Sequence, residues 1–179
     1  MADTGRVIRP AATADLGRIQ EIETAAGGLF RALGMDPVAD DPPPTIEELN
    51  AFLRRGTAWV ATGPAGEPIA YILMKVRGRW AHIEQVTVHP RHAHQGIGAD
   101  LINHAEEWAR RLGLGGLSLT TFRDVPWNGP YYERLGFRYV PDSEWPAELR
   151  GVVEGEASRG LASWPRVVMT RKVNGGHSV

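Results

Sequence analysis

Between Ile83 and Gly98 the chain sets a strand, a histidine-rich turn and two glycines directly ahead of an amphipathic helix, an order that can hold an anion. The turn reads His89-Pro90-Arg91-His92-Ala93-His94-Gln95-Gly96-Ile97-Gly98. Glycines before a helix N-terminus let successive backbone N–H groups converge, and the helix dipole favours negative charge there. A pyrophosphate suits such a cradle. The Rossmann version does not fit, because its fingerprint needs a third glycine and that position is Leu101. A P-loop lysine is missing too. An ordinary tight turn stays open as the account of Gly96 and Gly98 taken alone.

The preceding strand, Trp80 to Val88, changes phase. Ala81 and Ile83 are apolar at odd positions, Val86 and Val88 at even ones. A bulge near Glu84-Gln85 restores a single apolar face, and bulges re-aim side chains near active sites. A strand buried on both faces explains the pattern equally well. His89, His92 and His94 lie close together, yet no helical His-Glu-x-x-His pattern or thiolate accompanies them. They read as loop histidines beside phosphate, with no metal expected.

Composition narrows the chemistry. The chain has no cysteine, which excludes disulfides, thiolate metal sites and a cysteine nucleophile. Net charge is −1, so no global basic field draws the protein to nucleic acid or to an anionic membrane. The start, Met1 to Arg9, is polar and lacks a leader's apolar core, and no apolar run approaches spanning length. The expectation is a soluble cytoplasmic protein. At 179 residues with 42% apolar and 23% charged, it has the size and composition of one globular domain.

The elements that must position these residues follow from periodicity. Arg6 to Arg9 reads as a strand ended by Pro10, and Thr13 or Asp15 caps a helix carrying Leu16, Ile19 and Ile22. Leu29 to Pro44 reads as a loop or a short helix within one. Its Asp36, Asp40 and Asp41 are a solvated acidic stretch in preference to an amine trap. Thr45 with Glu48 forms a capping box for a helix bearing Ile46, Leu49, Phe52 and Leu53. Strands are expected over Thr57–Thr62, Ile69–Val76, Trp80–Val88, Leu117–Phe122, Phe137–Val140 and Arg166–Val173. Helices are expected from about Gly98 to Leu112 and over Pro130–Leu135. Ser143 to Ser163 is ambiguous, and Asn174 to Val179 reads as a frayed, flexible tail. The order is a mixed α/β sheet with helices on its faces.

The run Ile83-Glu84-Gln85-Val86-Thr87-Val88-His89-Pro90, then Gln95-Gly96-Ile97-Gly98, then Asn128 to Tyr132 and Leu135-Gly136-Phe137, resembles the GCN5-related N-acetyltransferases, the GNAT superfamily. The order of elements matches that fold from Arg6 to Val173. The joint spacing of the glycine loop with the Tyr132 to Phe137 segment is the strongest part of the likeness. One departure stands at Ala93, where the family usually carries Gln or Arg. The Ala93 amide can still serve the phosphate, and Arg91, His94 or Gln95 is expected to compensate for the missing side-chain contact.

The resemblance implies a mostly antiparallel central sheet flanked by helices, a single acetyltransferase domain over residues 1–173, and acetyl-CoA as cosubstrate without a metal. It implies that the pantetheine arm pairs with Val86-Thr87-Val88, through the amides and carbonyls of Val86 and Val88. The pyrophosphate then rests on the amides of His94, Gln95, Gly96, Ile97, Gly98 and Ala99. It further implies Glu84 as base or electrostatic anchor for an amine, Tyr132 as acid toward the departing thiolate, and Asn128 as a cofactor contact. Against these stand a structural ion pair for Glu84, sheet packing for Tyr132 (a role suiting adjacent Tyr131 better) and an N-cap for Asn128.

Ligand pockets are mostly apolar, and Trp80, Trp127, Trp145, Tyr71 and Phe30 could line an acceptor pocket, with Trp127, Phe30 and Trp80 taken as its candidates, although most aromatics are simply core. Trp127, between Pro126 and Asn128, stands out among them. The acceptor is a small-molecule or peptide amine, and a homodimer is one assembly the fold allows. The leading reading is direct acetyl transfer. The alternatives are an acyl-CoA-binding regulator without activity, a nucleotide-dependent enzyme of another class, and a toxin that acetylates charged tRNA, which the net charge disfavours.

Overall fold

The structure, a computed structural model, describes residues 5–160 and 163–173, so the expected tail Asn174–Val179 lies outside the described residues. Its elements run β1 (Val7–Pro10), α1 (Leu16–Gly27), α2 (Asp36–Ala39), α3 (Ile46–Arg55), β2 (Ala58–Thr62), β3 (Pro68–Arg77), β4 (Trp80–Val88), α4 (Ile97–Arg111), β5 (Gly116–Phe122), α5 (Gly129–Arg134), β6 (Arg138–Val140), α6 (Ala147–Ser158) and β7 (Arg166–Lys172). The hydrogen-bonded strand order is β1-β2-β3-β4-β5-β7-β6. The β4–β5 pair is parallel, while β1–β2, β2–β3, β5–β7 and β6–β7 are antiparallel. The expected mixed, mostly antiparallel sheet with helices is present. No described helix is long and apolar enough to cross a membrane.

The chain divides into two compact units, Met1–Met74 with Glu84–His104, and Lys75–Ile83 with Ala105–Val179. In the first, Leu16, Ile19 and Ile22 of α1 and Leu49 and Phe52 of α3 close over Val60, Tyr71 and Leu73 of β2 and β3. Burying each of the Leu, Ile, Val and Phe side chains among these contributes about 1.5–3 kcal/mol. Helix α3 begins as expected: the Glu48 amide donates to Thr45 Oγ1 at 3.2 Å and the Thr45 amide to Glu48 Oε2 at 2.7 Å. Helix α1 is entered through a 3-10 turn at Thr13–Asp15. There Asp15 takes two hydrogen bonds from Arg9 and one from the Ala12 amide, tying β1 to the helix start.

In the second unit β5 and β7 pair from Gly116↔Lys172 to Phe122↔Arg166. Helix α6, inside the stretch the sequence leaves ambiguous, is fastened by one carboxylate. Glu156 accepts from Thr120 Oγ1 at 2.6 Å and from Arg166 Nε at 2.8 Å. Gly151 and Gly155 weaken its propensity, and only Leu149 and Glu156 of the helix are buried, so its sequence shows no apolar stripe.

Candidate functional site

Strand β4 spans Trp80–Val88 as expected, and it carries the first group of candidates. Its parallel register with β5 covers Trp80↔Gly116 to His82↔Ser118. Ala81, His82 and Ile83 are all buried, so the strand is covered on both faces there and the change of apolar phase needs no inserted residue. Beyond it the alternation is regular. Gln85 and Thr87 both direct their side chains to Glu23 on α1, with Gln85 Nε2 3.1 Å from Glu23 Oε1 and Thr87 Oγ1 2.7 Å from Oε2. Half-buried Glu84, Val86 and Val88 therefore project from the other face. The Thr87 side chain is committed to Glu23, which leaves its backbone as the part suited to a ligand.

The turn after β4 is built in steps. A 3-10 turn at Pro90–His92 is closed by the His89 ring, whose Nδ1 accepts from the Arg91 amide at 3.2 Å. Burial, first, and then the positive charges of Arg18, His92 and Arg91 hold the His89 imidazole below its ordinary range. It is the neutral acceptor that this bond requires. The Ala93 amide, expected to serve the phosphate, donates instead to Pro90 O at 3.2 Å inside the turn.

The chain then turns left-handed twice, at His94 (φ 61) and Gly96 (φ 76). Gly96 takes the N-cap position of α4, its carbonyl accepting from the Asp100 amide at 3.0 Å. Ile97, Gly98 and Ala99 thus open the helix with N–H groups that no residue within it can satisfy. Ile97 is buried at 1% exposure and anchors that end. Arg6, ahead of β1, donates to Gln95 O at 3.0 Å and lies 3.6 Å from Asp100. A cation therefore stands beside the loop where the local sequence offered none at position 93. Sequence periodicity carries no sign of it, because the contact joins residues far apart in the chain.

The second unit holds Asn128 and Tyr132. Asn128 precedes α5 yet makes no side-chain cap bond. Its Oδ1 accepts from Thr121 Oγ1 at 2.7 Å, and its Nδ2 is buried with no hydrogen-bond partner among the described residues. A buried amide donor left unpaired is costly, and a ligand carbonyl can satisfy it. Asn128 does hold the N-cap position of α5, where its carbonyl accepts from the Tyr132 amide at 3.0 Å, but its side chain makes no cap bond. Tyr132 is 9% exposed, with its ring edge-on to Phe137 at 5.8 Å and to Tyr131 at 5.4 Å. Tyr131 is the less buried of the two and lies 5.9 Å from the Arg134 guanidinium, so the deeper packing belongs to Tyr132. Gly136 (φ 86) ends the helix left-handed and lets Phe137 enter the core at 1% exposure.

The aromatic candidates separate. Trp127 is 39% exposed. Trp80 opens β4 beside Gly116, where an added Cβ would come within 2.8 Å of its ring, and it lies 5.6 Å from the Arg79 guanidinium. That is a packing position. Phe30 sits half-buried in the 3-10 stretch Gly28–Leu33 that continues α1. Asp36 and Asp40 both pair with Arg31, at 3.4 and 2.7 Å. Among the described residues no group of three or more His, Asp or Glu side chains could hold a metal.

The carboxylate that ties β4 to α1 was missed. Glu23 falls seven residues after Leu16 and four after Ile19, on the apolar face of α1. A glutamate at a core-facing helical position was the available signal.

Comparison with known proteins adds the lineage. A family model described as the Acetyltransferase (GNAT) family matches residues 21–137. Among solved structures, the chain is similar to the PaiA N-acetyltransferase from Thermoplasma acidophilum in complex with coenzyme A, at TM-score 0.70 and 17% identity over 93% of this chain and 98% of that one. It is similar to Rv2747 from Mycobacterium tuberculosis in complex with CoA, at 0.69 and 21% over 93% and 98%. It is also similar to the ribosomal-protein-S18-alanine N-acetyltransferase from Escherichia coli, at 0.66 and 17% over 97% and 98%. At these identities the likeness is one of fold.

Proposed function

The chain belongs to the GNAT acetyltransferase family, and on that premise we propose that it moves the acetyl group of acetyl-CoA directly onto a primary amine of a small molecule or peptide. The observation that carries this reading is the cradle at the head of α4, where left-handed His94 and Gly96 lead into the first helical amides, those of Ile97, Gly98 and Ala99, which have no partner within the helix. Such a cradle suits a pyrophosphate. Arg6 adds a positive charge beside it; in the second unit Asn128 Nδ2, without a hydrogen-bond partner among the described residues, suits an acceptor atom of a ligand.

Acetyl-CoA supplies the activated thioester, and the remaining roles fall to this chain. The backbone of Val86 to Val88 lies beyond the β4 residues registered with β5 and suits pairing with an extended arm. An ammonium cannot attack until it loses a proton, and in this reading Glu84 of β4 accepts it. Tyr132, a phenol, returns a proton to the departing thiolate. The attacking nitrogen forms the new C–N bond as the C–S bond breaks, so no acyl-enzyme is needed. Residues 1–173 act as one domain in this reading, with β3, β4 and α4 each running through both units. A cytoplasmic setting and a homodimer are consistent with it.

The test is thiol release from acetyl-CoA across a panel of amines, with calorimetry of CoA binding alongside. Amine-dependent thiol release and CoA binding are expected. Absence of CoA binding by the wild type overturns the reading. CoA binding without release for any amine favours the regulator that binds acyl-CoA without turning it over.

A further inference from the structure

A single nitrogen of Arg6 meets the head of α4 at two points. Its Nη1 donates to the Gln95 carbonyl at 3.0 Å and lies 3.6 Å from Asp100 Oδ2. The arginine side chain is 19% exposed and the aspartate side chain 55%, so the cation is the more enclosed partner. Its backbone is set by the sheet edge. The next residue, Val7, registers with Thr62 of β2, and Thr62 Oγ1 donates to the Val7 carbonyl at 3.3 Å. Burial does not hold the turn that Arg6 reaches: Ala93, His94, Gln95 and Gly96 are all exposed, and the first buried residue is Ile97.

The peptide group between Gln95 and Gly96 is planar and trans, so its carbonyl and its N–H point in opposite directions. Fixing the carbonyl on Arg6 turns the Gly96 amide to the side away from Arg6. This peptide lies between two left-handed residues, His94 at φ 61 and Gly96 at φ 76, and a Cβ added at Gly96 would meet no atom within 4 Å. Glycine accepts either sign of φ, and packing does not restrain it here. A half-turn of the plane would present a carbonyl oxygen to an anion, and the Arg6 bond opposes it. Asp100 sets a second requirement. An acidic side chain in the first turn of α4 suits the helix dipole, but it competes with an anionic ligand for the same end. As a surface ion pair, Arg6 and Asp100 add little to stability. Beside a diphosphate the pairing has a use, because it offsets a like charge on the ligand's approach.

Resting on the acetyltransferase reading, we propose that Arg6 is a positioning residue for the diphosphate of acetyl-CoA. It holds the Gln95–Gly96 peptide so that the Gly96 amide serves the ligand, and it offsets the charge of Asp100. Arg6 acts through the turn and does not itself touch the phosphates. The edge strand β1, which presents Arg6, thereby belongs to the cofactor-binding apparatus.

The test is calorimetry of CoA binding by the full-length wild type, Arg6→Ala, Asp100→Asn and the double variant, with the Gly96 amide followed by NMR. Arg6→Ala is expected to weaken CoA binding about tenfold. Asp100→Asn in that background is expected to recover about threefold, and to change the wild type by less. A protein that had merely lost the docking of β1 is not rescued by a neutral side chain at position 100, so the recovery separates positioning from folding. CoA is expected to move the Gly96 amide resonance downfield in the wild type, and to move it less in Arg6→Ala saturated with CoA. Wild-type affinity in Arg6→Ala overturns the proposal. No recovery in the double variant overturns the charge role, and a Gly96 resonance that CoA leaves unmoved overturns the peptide role. A wild type that binds no CoA is a separate result, and it removes the acetyltransferase reading itself.

Discussion

Thr121 donates its hydroxyl hydrogen to Asn128 Oδ1 at 2.7 Å, and the nitrogen of the same carboxamide is a buried donor without a partner among the described residues. A residue on β5 thereby sets the orientation of a residue ahead of α5. An unpaired buried donor costs about 1–3 kcal/mol, which an acceptor on a ligand can recover. Asn128→Ala is expected to weaken CoA binding about tenfold with little loss of melting temperature. Thr121→Val is expected to weaken it less, by freeing the amide to turn. Unchanged CoA affinity in Asn128→Ala, measured by calorimetry, would remove Asn128 from the cofactor site.

Glu84→Gln and Tyr132→Phe address the chemistry. Each is expected to bind acetyl-CoA nearly as the wild type does while losing about 10²–10⁴ in turnover, the usual size of a general acid or base contribution. The Glu84 variant should regain rate as pH rises, because a larger share of the amine is then already deprotonated. Wild-type turnover in both variants would end their assignment.

Gly96 has φ 76, and an added Cβ would meet no atom within 4 Å. The cost of Gly96→Ala is therefore conformational and not steric, about 1 kcal/mol of stability. If that strain opens the turn, the amides of Ile97 to Ala99 lose their convergence, and CoA affinity should fall more than stability does. Thermal melts with and without CoA separate the two effects.

Asp15 carries a pH dependence whose sign follows from its partners. The hydrogen bonds from Arg9, chiefly, and from the Ala12 amide hold its carboxyl below the ordinary aspartate range despite burial. The folded form thus keeps Asp15 ionised at pH values where the unfolded chain takes up a proton. The stabilisation is complete above the unfolded pKa and is lost as pH falls through the folded one. Asp15→Asn should cost about 1–3 kcal/mol at neutral pH and flatten the acid limb of the stability curve. Urea titrations across the acid range make the comparison.

Local chemistry was legible wherever a short stretch of chain decides its own structure. Thr45 and Glu48 cap α3 through bonds three residues apart, and Gly136 ends α5 by adopting a φ that other residues avoid. Strand β4 matched from Trp80 to Val88 because its apolar residues alternate or are buried throughout. Helix α6 was not legible, since Gly151 and Gly155 interrupt its propensity and its hold on the sheet comes from Glu156 reaching Thr120 and Arg166. A single ion-paired carboxylate leaves no periodicity to read.

The same division runs through the site. From sequence alone come the glycine turn before α4, the candidates Glu84, Asn128 and Tyr132, and the lineage they point to, because those features lie in contiguous segments whose backbone demands are local. Tertiary structure decided the partners. It spends the Ala93 amide on Pro90, sets Arg6 beside Gln95, turns Asn128 with Thr121, and gathers Tyr71, Gln85 and Thr87 on Glu23. Of these, the Arg6, Tyr71, Gln85 and Thr87 contacts span tens of residues, and charge and hydrogen-bonding capacity are matched across that span only when the chain has folded.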